Sequence, residues 1–182
     1  MTKPGIYSED DGSRVATNVA RPLWAKAAMD VLKETAERYN AVVTYAHLGE
    51  QVQRRTQIRT NVLLPNWIGK VLGQVATQCA QEGELLMTAL CVRGNGMVGD
   101  GYAEAVIIMG EPRPGDPEMH AAEQRLACYR KYATDLPPGG GTPQLTIQEA
   151  ERRQGMAPLP TPALCPTCHT VLPRSKVCYY CN

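Results

Sequence analysis

Apolar residues recur at helical spacing in several stretches of the chain and run together without that period in one other. From Pro22 to Tyr39, Leu23, Ala27, Val31 and the neighbours Ala28 and Leu32 line one face of a helix. Pro22 suits a first helical turn, where its missing N–H costs little, and Asn40 marks the stop. A short extended piece, Ala41-Val42-Val43-Thr44, leads into a short helix from Tyr45 to Val52 whose buried side includes Leu48 and Val52. Gln53 to Leu64 is polar and basic and reads as a loop. Pro65 opens the strongest helix, Asn66 to Gln81, with Trp67, Ile68, Val71, Leu72, Val75 and Cys79 on its core face. Gly83 closes it.

The run Leu85 to Arg93 has strand length, and Gly94-Asn95-Gly96 suits a hairpin turn because Asn and Gly tolerate positive φ. Met97 to Met109 is expected to return as the second strand, broken by Gly99 and Gly101. After a Pro/Gly loop, a last helix is expected from Glu118 to Thr134, with Ala122, Leu126, Tyr129 and Ala133 on one side. Two helices followed by a hairpin outline a winged helix-turn-helix, an α+β core in which the second helix reads and the hairpin is the wing. Residues 1–20 carry turn formers and little periodicity and read as a flexible leader before a domain over 21–135. The Pro- and Gly-rich stretch 136–163, with one helical piece at Ile147 to Gln154, reads as a linker to a zinc ribbon over 164–182.

Composition allows a packed domain: 43% of the 182 residues are apolar and 20% charged. No apolar run is long enough to span a membrane, and no basic stretch with an apolar core opens the chain. The expected compartment is therefore the cytoplasm, with no membrane partner. The net charge of +1 is unremarkable, but its distribution is uneven. No acidic residue lies between Glu50 and Glu82, whereas Arg54, Arg55, Arg59 and Lys70 do. That local excess fits an anion-facing patch or ordinary solvated surface; charge alone does not choose.

Four of the seven cysteines form two paired motifs, Cys165-x2-Cys168 and Cys178-x2-Cys181, with nine residues between the pairs. Each pair can aim two thiolates at one point, and two pairs complete a tetrahedron around one structural Zn²⁺. So short a module has no core of its own, so the metal must hold its fold. The rival redox-dithiol reading normally needs a βαβ unit, which the pattern lacks. Four thiolates close the site and leave no open position for a water nucleophile; His169 could compete as a ligand but stands beside one already in place. The module cannot bury both Tyr179 and Tyr180, so at least one is free to contact a partner. Cys79, Cys91 and Cys128 sit among apolar neighbours and read as core residues. Cys91 is the one to inspect as a nucleophile, but no histidine lies near it in sequence.

Several segments of the central block carry a resemblance. Thr44-Tyr45-Ala46-His47-Leu48-Gly49, Asn66-Trp67-Ile68-Gly69-Lys70-Val71-Leu72, Ala89-Leu90-Cys91-Val92 and Gly96-Met97-Val98-Gly99-Asp100-Gly101-Tyr102 are similar to motifs of the O6-alkylguanine-DNA alkyltransferases and alkyltransferase-like proteins. The resemblance covers about residues 42–105. It implies a winged helix that enters the DNA minor groove, with Tyr45, Asn66 and Lys70 at the matching positions. The departures bear on chemistry. Where the family has P-C-H-R-V, this chain has Met87-Thr88-Ala89-Leu90-Cys91, so Thr88 stands near the reactive-cysteine position with no histidine behind it. A threonine without a base is no alkyl acceptor at neutral pH. Asn66 stands where the family has its base-displacing arginine, and the basic insertion Gln53 to Leu64 has no family counterpart.

Other positions read more plainly. His120 and Glu123 fit a surface pair on the last helix, and Asp100 fits a Gly-Asp-Gly turn. With no Phe in the chain, Trp24 and Trp67 belong in the core. There is no phosphate loop, dinucleotide fingerprint, zinc-protease motif or nucleophile elbow. The expected function is a non-enzymatic DNA-binding or regulatory protein, with Tyr45, Arg54, Arg55, Arg59, Asn66 and Lys70 on DNA. The alternative is an adaptor whose zinc ribbon docks a partner protein through Tyr179 and Tyr180. An enzyme is a third reading, for which no set of base, nucleophile and oxyanion donor can be assembled from the sequence.

Overall fold

The structure is a computed structural model that describes residues 5–155. It mixes helices with two small sheets, an α+β arrangement. Its elements in order are β1 (Ile6–Ser8), α1 (Thr17–Ala36), β2 (Val43–Thr44), α2 (Tyr45–Thr56), β3 (Ile58–Thr60) and α3 (Ile68–Glu82). There follow β4 (Cys91–Val92), α4 (Tyr102–Ile108), α5 (Pro117–Tyr132) and α6 (Ile147–Arg153). Two 3₁₀ turns, Leu64–Asn66 and Met87–Leu90, precede α3 and β4. One compact unit ends at Glu149, and residues from Ala150 onward belong to a second.

Local chemistry sets the helix ends. The Thr44 hydroxyl caps α2 by accepting from the amide of His47 at 3.2 Å, and Asp116 caps α5 by accepting from Met119 at 3.1 Å, with Pro117 first in the helix. Gly83 ends α3 at φ 64°, a left-handed conformation glycine takes without a Cβ clash. All six residues expected on the core face of α3 are buried. On α1 the helix starts earlier than the pattern predicts, and Pro22 falls inside it, removing the bond to the carbonyl of Asn18. The buried face turns with it: Trp24, Ala28, Val31 and Leu32 are inside, while Leu23 is 44% exposed. Trp24 packs on Trp67 with ring centroids 4.7 Å apart, and its indole N–H donates to the carbonyl of Ile58 at 3.2 Å. A shared core joins α1, α2, α3 and α5, and a smaller cluster lies under α4.

Three expectations are corrected. The hairpin is not formed: β4 pairs in parallel with β2, Val43 opposite Cys91 and Thr44 opposite Val92, and the segment expected to return as a strand contains α4. The Gly94-Asn95-Gly96 turn is present, closed by the amide of Arg93 on the carbonyl of Met97 at 2.7 Å. The supposed basic loop Gln53 to Leu64 is the last turn of α2 and then β3, joined through Gln57 at φ 56°. The supposed leader supplies β1, antiparallel to β3 with Ile6 opposite Thr60, and the first turn of α1.

The stretch expected to begin a linker at 136 lies, as far as Glu149, within the first unit. Arg130 donates to the carbonyls of Gly140 at 2.9 Å and Gly141 at 3.1 Å, Arg125 to that of Gln144 at 3.2 Å, and Thr146 to that of Gly96 at 2.8 Å. Among the described residues no helix is long and apolar enough to cross a membrane.

Candidate functional site

A cavity of about 640 Å³ opens between α2, α3, α4 and the 3₁₀ turn before β4. Its walls are mostly apolar, from Ile68 and Leu72 on α3 and Ala105 and Ile108 on α4. Thr88, only 5% exposed, also lines it, and its buried hydroxyl has no hydrogen-bond partner among the described residues. An unpaired buried hydroxyl costs about 1–3 kcal/mol. A group retained at that cost beside an open cavity is what a polar atom of a ligand would satisfy.

The turn that carries Thr88 is anchored from behind. Arg125, buried on α5, donates to the carbonyl of Ala89 at 3.2 Å. The loop at the mouth is fixed by Glu118, whose carboxylate accepts from the amide of Val98 at 3.0 and 3.3 Å. Tyr45, at the start of α2, closes against that loop. A Cβ at Gly99 would stand 2.0 Å from the Tyr45 hydroxyl oxygen, so only glycine fits there. Burial pushes the Tyr45 phenol up to about 12. It is neutral at physiological pH and can donate a hydrogen bond.

The rim is polar. Arg93 pairs with Asp100 at 2.5 Å. On α4, the ring of Tyr102 lines the wall while its hydroxyl meets Nδ1 of His120 at 2.9 Å; Nε2 of His120 meets Glu111 at 3.1 Å. His120 therefore ties α5 to the start of α4 and to the loop after it, instead of pairing along its own helix with Glu123.

Neither Cys91 nor Thr88 is activated as a nucleophile by the described residues. Cys91 lines it, but burial drives its thiol far above the ordinary range, so it is no thiolate at neutral pH. Thr88 has no base within hydrogen-bond reach.

Of the residues expected on DNA, Tyr45 alone lines this cavity. Asn66 and Lys70 border a second, smaller one. Arg54 donates to Gln51 at 2.8 Å. Arg55 makes a two-point pair with Glu34 at 2.7 and 2.6 Å, and Arg59 is held by Glu9 at 2.9 Å and Glu50 at 3.0 Å. Two of the four cations counted in the sequence, Arg55 and Arg59, are thus paired with carboxylates from α1, the middle of α2 and the segment after β1. The zinc ligands Cys165, Cys168, Cys178 and Cys181, and Tyr179 and Tyr180, lie outside the described residues. Within the described residues no group of three or more metal-ligating side chains gathers.

The structure brings together what the sequence held apart. The Thr44–Gly49, Asn66–Leu72, Met87–Cys91 and Gly96–Tyr102 segments all contribute to the one cavity. Arg93, Arg125 and the Tyr102–His120–Glu111 chain escaped the sequence reading, since none carries a spacing signal. Compared with family models, curated proteins and solved structures, the chain matches none.

Proposed function

We propose that this chain is a non-catalytic DNA-binding protein, built on an alkyltransferase-like frame, that holds an extruded base in the Thr88 cavity without transforming it. The observation that carries the reading is the convergence of the four resembling segments on one apolar cavity, roomy enough for a base, with a hydroxyl unsatisfied among the described residues. An extruded base needs a dry, flat slot and a polar atom at its edge; Thr88 and Tyr45 supply the second. The pairing of Arg55 and Arg59 with carboxylates moves the expected contact from a broad basic face to the rim of this cavity. In place of a hairpin wing, the loop from Gly94 to Gly101 would flank the DNA.

The test is a fluorescence-anisotropy titration with a duplex carrying one alkylated base and with its unmodified twin. The modified duplex is expected to bind at least tenfold more tightly and to be recovered unaltered. Gly73→Phe, which places a ring in the cavity from a helical position with open space at its Cβ, removes the difference. Affinity for both duplexes falls steeply with salt. Equal affinity for the two duplexes would sink the base pocket, and salt-insensitive or absent binding would sink the DNA reading.

We also propose that Cys165, Cys168, Cys178 and Cys181 hold one structural Zn²⁺, on the support of their spacing. Metal analysis of the purified full chain should find one zinc per chain, lost when the four are replaced by serine. The adaptor reading rests on Tyr179 and Tyr180 in that module, and specific capture of one partner protein by the full chain, lost with Tyr179→Ala and Tyr180→Ala, would support it.

A further inference from the structure

A second cavity, of about 170 Å³, lies where the first turns of α1 meet β3 and the 3₁₀ turn that opens α3. Arg21 on α1 and Lys70 on α3 both border it. No carboxylate lines it, and neither cation has an ion pair or side-chain hydrogen bond among the described residues. Other cations of the molecule are charge-paired. Arg55, Arg59, Arg93, Arg113 and Lys131 are each held by a carboxylate. Here two positive groups from different helices border one recess, and among the described residues no carboxylate balances them.

The neutral groups around them are suited to an anion. Thr17 and Asn66 present side chains with no partner among the described residues. The Thr60 hydroxyl already donates to the carbonyl of Gly5 at 2.8 Å, so it is held in place beside the recess. The 20-residue helix α1 starts here without a side-chain cap from Ala16 and without an acidic residue in its first turn. Its positive end therefore adds to the same field. The packed rings of Trp24 and Trp67 also line it.

We infer that this recess binds a phosphate group. Two cations approaching from different elements match the diverging oxygens of a tetrahedral dianion better than a flat carboxylate. The volume takes a phosphate but not the nucleoside or other body attached to it, which must lie outside. The source is a free phosphate ion or a phosphate of a nucleic acid. The inference uses residues outside the Thr88 cavity and stands without the base-binding reading.

The experiment is calorimetric titration of the full chain with inorganic phosphate at constant ionic strength, with chloride as the blank. Saturable binding of one phosphate per chain is expected. Arg21→Gln and Lys70→Gln should each weaken it about tenfold, while Arg113→Gln, at an ion pair elsewhere, leaves it unchanged. Competition then separates the sources. If phosphate displaces a 5′-phosphorylated oligonucleotide but not its unphosphorylated twin, the ligand is a terminal phosphate. If it displaces both, the ligand is a backbone phosphate, and if neither oligonucleotide competes with it, a free ion. Absence of saturable phosphate binding, or binding that survives both substitutions, overturns the inference. Circular dichroism of the two variants shows that lost binding is not lost folding.

Discussion

At the scale of single residues, Thr88 is the position where stability and function pull apart. Its hydroxyl is buried without a partner among the described residues, so replacing it by an apolar group of the same shape removes an unfavourable term. Thr88→Val is expected to stabilise the chain by about 1 kcal/mol, a rise in Tm of roughly 2–4 °C, while weakening binding of the modified duplex. A fall in Tm would mean that the hydroxyl is satisfied in solution, and the ligand argument would lose its footing. The cysteines give a second residue-scale prediction. Burial raises the thiols of Cys79, Cys91 and Cys128, the last to about 12. In the folded chain at pH 8 these three should be inert to a thiol reagent, and in denaturant all should react. Reaction of Cys91 in the native chain would reopen it as a nucleophile.

Between elements, the approach of Tyr45 to the loop before α4 holds the mouth of the large cavity. Gly99→Ala puts a Cβ where the Tyr45 hydroxyl lies, so the loop or the ring must move. The expected result is a loss of about 1–3 kcal/mol, read by urea unfolding, with duplex discrimination reduced as well. The double variant with Tyr45→Ala should recover part of the stability, because the clash is gone. This contact also shows what the sequence could and could not convey. Helices declared themselves where one face is apolar over several turns, as on α3, whose six expected core residues are all buried. The extended segments did not. An apolar run from Leu85 to Arg93 fits a strand or a 3₁₀ turn equally, and the partner that decides, β2, lies about fifty residues away. In the same way β1 is recruited by β3, and Gly140 and Gly141 are fixed by Arg130. The candidate site was readable as scattered segments, whereas the pairing of Arg55 and Arg59 was not. The carboxylates that pair Arg55 and Arg59, Glu34, Glu9 and Glu50, come from outside the stretch in which positive charge was counted.

For the molecule as a whole, net charge is near zero at pH 7, and in acid the loss of particular paired carboxylates adds to the growing positive repulsion. Glu84 is the leading case, because it ties the end of α3 to the end of α5. Its carboxylate accepts from Lys131 at 2.6 Å, from the Tyr132 hydroxyl at 2.5 Å and from the amide of Leu85 at 2.8 Å. Burial alone would raise its pKa, but these bonds outweigh burial and hold the carboxyl at about 2 against an ordinary 4.5. The folded chain therefore binds fewer protons here than the unfolded chain does. The stabilisation is complete above pH 4.5 and is lost as pH falls from there toward 2. Because Lys131 is about half exposed, its share is screened, and the whole contribution is on the order of 2 kcal/mol. Glu84→Gln should lower the Tm at pH 7 by several degrees and flatten its fall in acid, the two curves converging near pH 2. The measurement is calorimetric unfolding of both chains from pH 7 to pH 2. Curves that stay parallel across the acid limb would show that Glu84 titrates alike in the folded and unfolded chain, and that its three bonds do not set the acid stability.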